Sequence, residues 1–339
     1  MEGEPQRELT HLQTLIWTGQ HLDPESPVYN TAFRIRIPTA VDPQRFEQAF
    51  RYVVSQSTEM RTTIDVRQGL PRPKTIRQPD FEFLHFDFAA HAQPEAEAVA
   101  WCASRCRRHL PLDQLLFDTA LIKVANDVSV WYICQHHLIC DAWSVTQLLR
   151  LVDETYRALA EGSDDLPHVE ESRDQAVTPS VSSPPSRHVS FYGHRPAQVG
   201  SASERVTVVA ASDEGGQQLA ELASRKEARS FSRDMSRMNV VLTLLFSYLS
   251  RVSEGHVFSV GVPFHGRRSA VQQRALGAYV EFCPVTVEVT PEESFLSLLR
   301  KVQAATTEFL KLATQGPVAS GTNAAFNTIC NYIHAGFAD

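Results

Sequence analysis

The chain has no long hydrophobic run, no excess of positive charge, and too few and too scattered cysteines to build a disulfide framework. Each of these absences removes a class of function. No window of the 339 residues approaches the length of a membrane-spanning helix. Met1-Glu2-Gly3-Glu4-Pro5 has neither the basic start nor the apolar core of a secretion signal, so a cytoplasmic protein without a membrane partner is expected. A formal charge of -7 argues against nucleic acid as a partner, since nucleic-acid binders usually show a basic balance or a concentrated basic face. The densest basic cluster, Arg105, Arg107, Arg108 and His109, reads as the solvated face of a helix. The six cysteines, at 102, 106, 134, 140, 283 and 330, fall in predicted helix and strand, which fits reduced thiols. Cys102, Cys106 and His109 could share a helical face, but a fourth metal ligand is not evident, and no metal is expected. A short-period repeat and a Gly-x-Ser-x-Gly nucleophile elbow are also missing, so covalent catalysis is not indicated.

What is present is an ordinary globular composition, 43% apolar and 21% charged, with strands and amphipathic helices interleaved. Leu9 to Trp17 predicts a helix with Leu9, Leu12 and Ile16 on one stripe and Gly19 as its stop. Tyr29 to Ile37 predicts a strand in which Phe33, Ile35 and Ile37 alternate with Arg34 and Arg36. Asp42-Pro43 opens a helix by the cap-then-proline signal. Strand material follows at Met60–Val66, Thr75–Ile76 and Phe81–Phe88, then a helix from Pro94 to Leu110 and a hairpin of Phe117–Val124 with Val128–Gln135. This order indicates an α/β sandwich. The expected division is an N-terminal lobe over 1–162, a Ser/Pro-rich, partly mobile linker over 163–203, and a second α/β half over 204–339. In that half, strands are expected at Glu204–Val209, His256–Val262, Val285–Val289 and Asn327–Ile333. Helices are expected at Gly215–Lys226, Ser236–Ser253 and Ser294–Leu312.

The chemistry concentrates where the apolar strand Val128–Cys134 hands over to a helix whose Val145, Leu148, Leu149 and Val152 recur at helical spacing and which Ser144 can cap. Between them stands His136-His137-Leu138-Ile139-Cys140-Asp141. Neighbouring residues on a strand point to opposite faces, so the two histidines cannot easily reach one metal ion. Two readings stay open on local chemistry alone. The histidines are packing residues and the aspartate complements the following helix dipole, or one imidazole does general acid/base work on an attacking amine or hydroxyl, a role worth ~10² to 10⁴ in rate.

His136, His137 and Asp141, taken with further residues along the chain, resemble the condensation domains of nonribosomal peptide synthetases, members of the chloramphenicol acetyltransferase-like superfamily. The family signature His-His-x-x-x-Asp-Gly is matched with Ala142 in place of the glycine. Leu9-Thr10-x-x-Gln13-x-x-Ile16-Trp17-x-Gly19-Gln20 and Ser26-Pro27-x-Tyr29-Asn30 resemble the opening motif, and Met60-Arg61-Thr62 the one after it. Gly261-x-Pro263-x-x-x-Arg267, Leu276-Gly277-x-x-Val280-x-x-x-Pro284 and Phe326-Asn327-x-x-x-Asn331-Tyr332 resemble the later ones.

The resemblance implies a V-shaped two-lobe sandwich with a tunnel between the lobes. It implies amide formation by attack of a carrier-bound acceptor amine on a carrier-bound acyl thioester. The partners would be donor and acceptor carrier proteins and adjoining synthetase domains. The chain itself would bind no cofactor, since phosphopantetheine arrives on the carriers. His137 would be the catalytic base, His136 would pack behind it, and Asp141 would pair with Arg61 to hold the turn. Ala142 keeps the backbone N–H of the glycine it replaces and matters only if the turn needs a positive φ or a close approach of backbone to the thioester oxygen. Glu281 stands where many members carry asparagine, and a different acceptor subclass is one consequence. Members continue past Asn331-Tyr332 with further strands, so a chain ending at Asp339 is expected to have an incomplete second lobe. Ester formation, an epimerase relative, and a non-catalytic docking module of the same fold are the alternatives.

Overall fold

The structure, a computed structural model, describes residues 8–171, 189, 213–315 and 326–332. The chain divides into two compact units, Met1–Val177 with Arg267–Val280, and Thr178–Gly266 with Glu281–Asp339. Residues 267–280, which the sequence groups with the C-terminal half, therefore belong to the first unit.

The first unit contains α1 (His11–Leu22), β1 (Asn30–Ile37), α2 (Pro43–Gln56), β2 (Thr62–Arg67), β3 (Leu70–Thr75), β4 (Leu84–Asp87), α3 (Pro94–Arg105), β5 (Phe117–Ala125), β6 (Val128–His136) and α4 (Ala142–Ala160). A four-stranded sheet has the order β1-β6-β5-β4, antiparallel except for the β4–β5 pair. Strand alternation distributes its side chains between two cores. Phe117, Leu121, Trp131 and Ile133 pack with Phe46, Phe50 and Val53 of α2 and Leu148, Leu151 and Val152 of α4. Ala120, Ile122, Val130, Tyr132 and Cys134 pack with Ala98 and Cys102 of α3. Burial on both faces is why Val128 to Cys134 reads as a continuous apolar run. β1, at one edge of this sheet, keeps Phe33 and Ile35 against the first core, with Arg34 and Arg36 exposed.

Several local expectations shift. α1 runs through Gly19 to Leu22. The glycine serves close packing instead of helix termination, because a Cβ there would overlap the Tyr29 hydroxyl. α3 ends at Arg105, short of the predicted Leu110, and Asn30 Nδ2 donates to the carbonyls of Cys106 at 3.0 Å and Arg108 at 2.8 Å. Within the basic cluster, Arg105 grips Asp118 through two bonds of 2.5 and 2.9 Å, both side chains being largely buried. The pair β2–β3 sets Pro71 and Pro73 opposite Val66 and Ile64. Proline is tolerated there because, among the described residues, β3 has a neighbouring strand on one side only.

Of the stretch expected as linker, residues 163–171 and 189 are described, and the first part is fastened down. Val169 is buried, Tyr52 Oη donates to the Pro167 carbonyl at 3.2 Å, and Thr58 Oγ1 donates to Glu171.

The second unit contains α5 (Asp213–Ser224), α6 (Arg233–Val252), β7 (Val257–Phe264), β8 (Glu281–Glu288) and α8 (Phe295–Gln315), while α7 (Ala270–Arg274) lies in the stretch assigned to the first. β7 and β8 pair antiparallel from Val257↔Glu288 to Phe264↔Glu281. Met238, Leu242 and Phe246 of α6 and Leu298 and Val302 of α8 cover Phe258, Val260, Val285 and Val287. The strand expected at Glu204–Val209 lies outside the described residues, as does Ile333. Of the last expected strand, Ile329 makes an isolated parallel bridge to Gly261. Among the described residues, no helix is long and apolar enough to cross a membrane.

Candidate active site

β6 ends at His136, α4 starts at Ala142, and residues 137–141 form the turn between them. The N-cap of α4 is Asp141, not the predicted Ser144. Its Oδ1 accepts the Ser144 amide N–H at 2.8 Å, so the carboxylate supplies the cap and Ser144 falls inside the helix.

His136 is 0% exposed. Its Nδ1 accepts the Leu138 amide N–H at 3.2 Å, and its Nε2 stands 3.1 Å from Gln20 Oε1. An Nδ1 that accepts carries no proton, so the imidazole is neutral with its hydrogen on Nε2, donated to the glutamine. Burial, and then the neighbouring His137, lower its pKa to about 4.

His137 is partly buried and hangs on the opposite side of the chain. Its backbone N–H donates to the Tyr29 carbonyl at 2.8 Å, continuing the β1–β6 pairing one residue beyond the strand. Its Nδ1 stands 3.1 Å from the Cys140 carbonyl. A carbonyl can only accept, so Nδ1 carries a proton, and it is Nε2 that presents the lone pair whenever the ring is neutral. That is the arrangement a general base requires. The turn supplying the carbonyl is itself tied. The Ile139 N–H donates to the His136 carbonyl at 3.0 Å, and Gln13 Nε2 donates to the Leu138 carbonyl at 2.7 Å. Cys140 is buried, its thiol is directed to the His136 carbonyl at 3.6 Å, and burial raises its pKa well above the usual thiol value.

Asp141 does not take Arg61 as its partner. Its Oδ2 accepts from Arg267 Nη1 at 2.6 Å and from the Tyr279 amide N–H at 2.9 Å. Arg267 Nη2 donates to the Gly277 carbonyl at 3.0 Å, and the Gly277 N–H donates to Ser144 Oγ at 2.9 Å. The Arg267 guanidinium also lies 4.4 Å from the centre of the Tyr279 ring. Gly277 has φ 139°, a region that favours glycine. Arg61 instead donates to the carbonyls of Ser57 at 3.2 Å and Ile76 at 3.3 Å and stands 3.9 Å from Glu171. The structure thus brings together His136, His137, Asp141 and Ala142, and leaves Arg61 as a brace for the approach to β2. Among the described residues other than glycine, only Gln68 has positive φ, so Ala142, the first residue of α4, replaces the family glycine without backbone strain.

Reasoning from the sequence misses Gln13 and Gln20 as site residues. The signal is there: they lie seven apart on α1 with Ile16 between them, two amides on the stripe that becomes buried. Arg267 stands in a family motif, but pattern alone gives no partner to an arginine 126 residues away in sequence.

The family model for the condensation domain matches residues 4–178 and 187–313. An isonitrile lipopeptide synthase of Streptomyces coeruleorubidus is 34% identical over 158 residues, which is 46% of this chain and 11% of that synthase. An isonitrile lipopeptide synthase of Mycobacterium tuberculosis is 23% identical over 330 residues, 87% of this chain and 12% of that synthase. The chain therefore spans about a tenth of the length of these relatives. Among solved structures, the first condensation domain of the calcium-dependent antibiotic synthetase aligns with TM-score 0.73 at 20% identity, over 92% of this chain and 75% of that one. The starter condensation domain of rhizomide synthetase, in complex with C8-CoA, aligns with TM-score 0.73 at 23% identity, over 96% of this chain and 78% of that one. With the fold, the paired histidines and the capped turn on one scaffold, the chain belongs to the condensation-domain family, acyltransferases that form amide bonds in nonribosomal peptide synthesis.

Proposed function

We propose that this condensation domain joins an acyl group to an acceptor amine, each held as a thioester on the phosphopantetheine arm of a carrier protein or carrier domain, in the cytoplasm and with His137 as the base. The amine nitrogen attacks the donor carbonyl, a C–N bond forms and the C–S bond breaks. The amine proton passes to Nε2 of His137 and from there to the departing thiolate. The observation that supports this role is the bond between His137 Nδ1 and the Cys140 carbonyl, which leaves Nε2 as the accepting nitrogen. Asp141 serves the same end from behind, by capping α4 and holding the residues after the turn through Arg267. The amide N–H of Ala142 keeps the donor that glycine offers in the family signature.

The test is condensation between acyl-loaded and aminoacyl-loaded carrier proteins, read by mass spectrometry of the acceptor arm. Wild-type chain yields condensed product. His137→Ala loses ~10² to 10⁴ in turnover. Product formed at the wild-type rate by that variant removes the base role, and no product from wild type with any loaded pair favours a docking module of the same fold.

A further inference from the structure

The amide of Gln20 sits on the apolar face of α1, 5% exposed, where an unsatisfied polar group is costly. Its Nε2 lies 3.0 Å from each of three carbonyls, those of Asp23, Pro24 and Ser26. That leaves one possible orientation, because turning the amide over would set Oε1 against three acceptors. With the nitrogen committed to the loop, Oε1 faces His136 Nε2 and can only accept.

We infer that Gln20 is a positioning residue of the condensation reaction, fixing the tautomer of His136 and, through the turn 136–140, that of His137. This rests on the role given to His137 above. The steps are directional. Gln20 Oε1 demands a hydrogen on His136 Nε2, which frees Nδ1 to accept the Leu138 N–H. That bond, with the Ile139 N–H on the His136 carbonyl, closes the turn that places the Cys140 carbonyl at His137 Nδ1. If the proton of His136 moved to Nδ1, it would meet the Leu138 N–H donor head-on, and the turn would open at its first bond. The Cys140 carbonyl would then no longer select the tautomer of His137. Gln13 holds the same turn from a second point, the Leu138 carbonyl, but says nothing about a proton.

The test is imidazole ¹⁵N NMR of the chain with labelled histidines, with His136→Gln and His137→Gln spectra to assign the two rings. Wild type at neutral pH shows His136 with its proton on Nε2 and His137 with its proton on Nδ1. Gln20→Met, which keeps length and removes both polar atoms, loses the single tautomer at both rings. Gln20→Glu retains the hydrogen on His136 Nε2 as the protonated acid, whose O–H replaces the amide donor towards the loop carbonyls while its C=O keeps the acceptor. In the carrier-loaded assay Gln20→Met lowers kcat by about 10²-fold with little change in KM for the acceptor carrier, as a small misplacement of a base would. Wild-type His136 protonated on Nδ1 overturns the inference whether or not any variant folds. So does a Gln20→Met chain in which both tautomers persist. A wild-type chain that makes no product leaves the spectra to decide on Gln20, and speaks only against the role of His137.

Discussion

Asp141 and Arg267 meet at 2.6 Å with side chains 5% and 0% exposed, joining the start of α4 to a segment that follows it by more than a hundred residues. A charge pair this deep is held by geometry and extra bonds more than by Coulomb attraction. The Tyr279 N–H completes the carboxylate and the Gly277 carbonyl takes a second guanidinium nitrogen. Removing one partner leaves the other charged and buried. Arg267→Ala and Asp141→Ala should each lower the unfolding free energy by ~3 to 5 kcal/mol, and the double variant should lose much less than the sum. Urea unfolding of the four chains measures the coupling. A parallel cycle between Asp141 and Arg61 should show none, since Arg61 directs its bonds to Ser57, Ile76 and the neighbourhood of Glu171. Coupling of 141 to 61 larger than to 267 would restore the pairing that family resemblance implies.

The sandwich itself was legible because period-2 and period-3.6 patterns survive in β1, α2 and α4, and because β5 and β6, buried on both faces, read as apolar-rich runs bounded by a turn. The histidine turn was legible as a motif. What pattern could not supply was everything set by distant partners. Whether Asp141 pairs with Arg61 or Arg267 depends on where a segment beyond β7 returns, and Ser144 looks like a cap only while the stronger cap three residues earlier is read as a salt-bridge partner. β3 is hidden by its prolines, which a one-sided strand tolerates. The glutamines of α1 stand in the sequence as letters of the opening motif, and their meaning appears only when Leu138 and His136 stand opposite them.

Gly19 shows how a helix interior can require glycine for a neighbour's sake. A methyl group there meets the Tyr29 hydroxyl and ring carbon head-on, and Tyr29 in turn carries the carbonyl that receives the His137 N–H. In an exposed helix Gly→Ala would stabilise by about 1 kcal/mol. Here Gly19→Ala should instead destabilise by ~1 to 3 kcal/mol, as overpacking does. Tyr29→Leu in the same chain should recover part of the loss by withdrawing the ring. Thermal unfolding of the single and double variants checks both signs, and a stabilised Gly19→Ala chain would mean that the ring moves aside freely.

The buried His136 makes the fold less stable at acid pH. Its folded pKa is lowered from 6.5 to about 4, by burial first and the adjacent His137 second. Between those two values the unfolded chain binds a proton that the folded chain refuses, so stability rises with pH across that window. The contribution is complete above about pH 6.5 and is lost as the pH falls towards 4. Going from pH 7 to pH 5 should therefore cost about 2 kcal/mol of unfolding free energy from this one group. Carboxylates held low in the fold, such as Glu47 and Glu293, titrate below 4.5 and make little difference in that interval. Urea unfolding at pH 7 and pH 5 measures the slope, and His136→Gln should flatten it even though the variant is less stable at both values. An equal slope in wild type and variant would mean that His136 accepts a proton in the folded chain. The neutral ring on which the turn 136–140 depends would then not persist at pH 5.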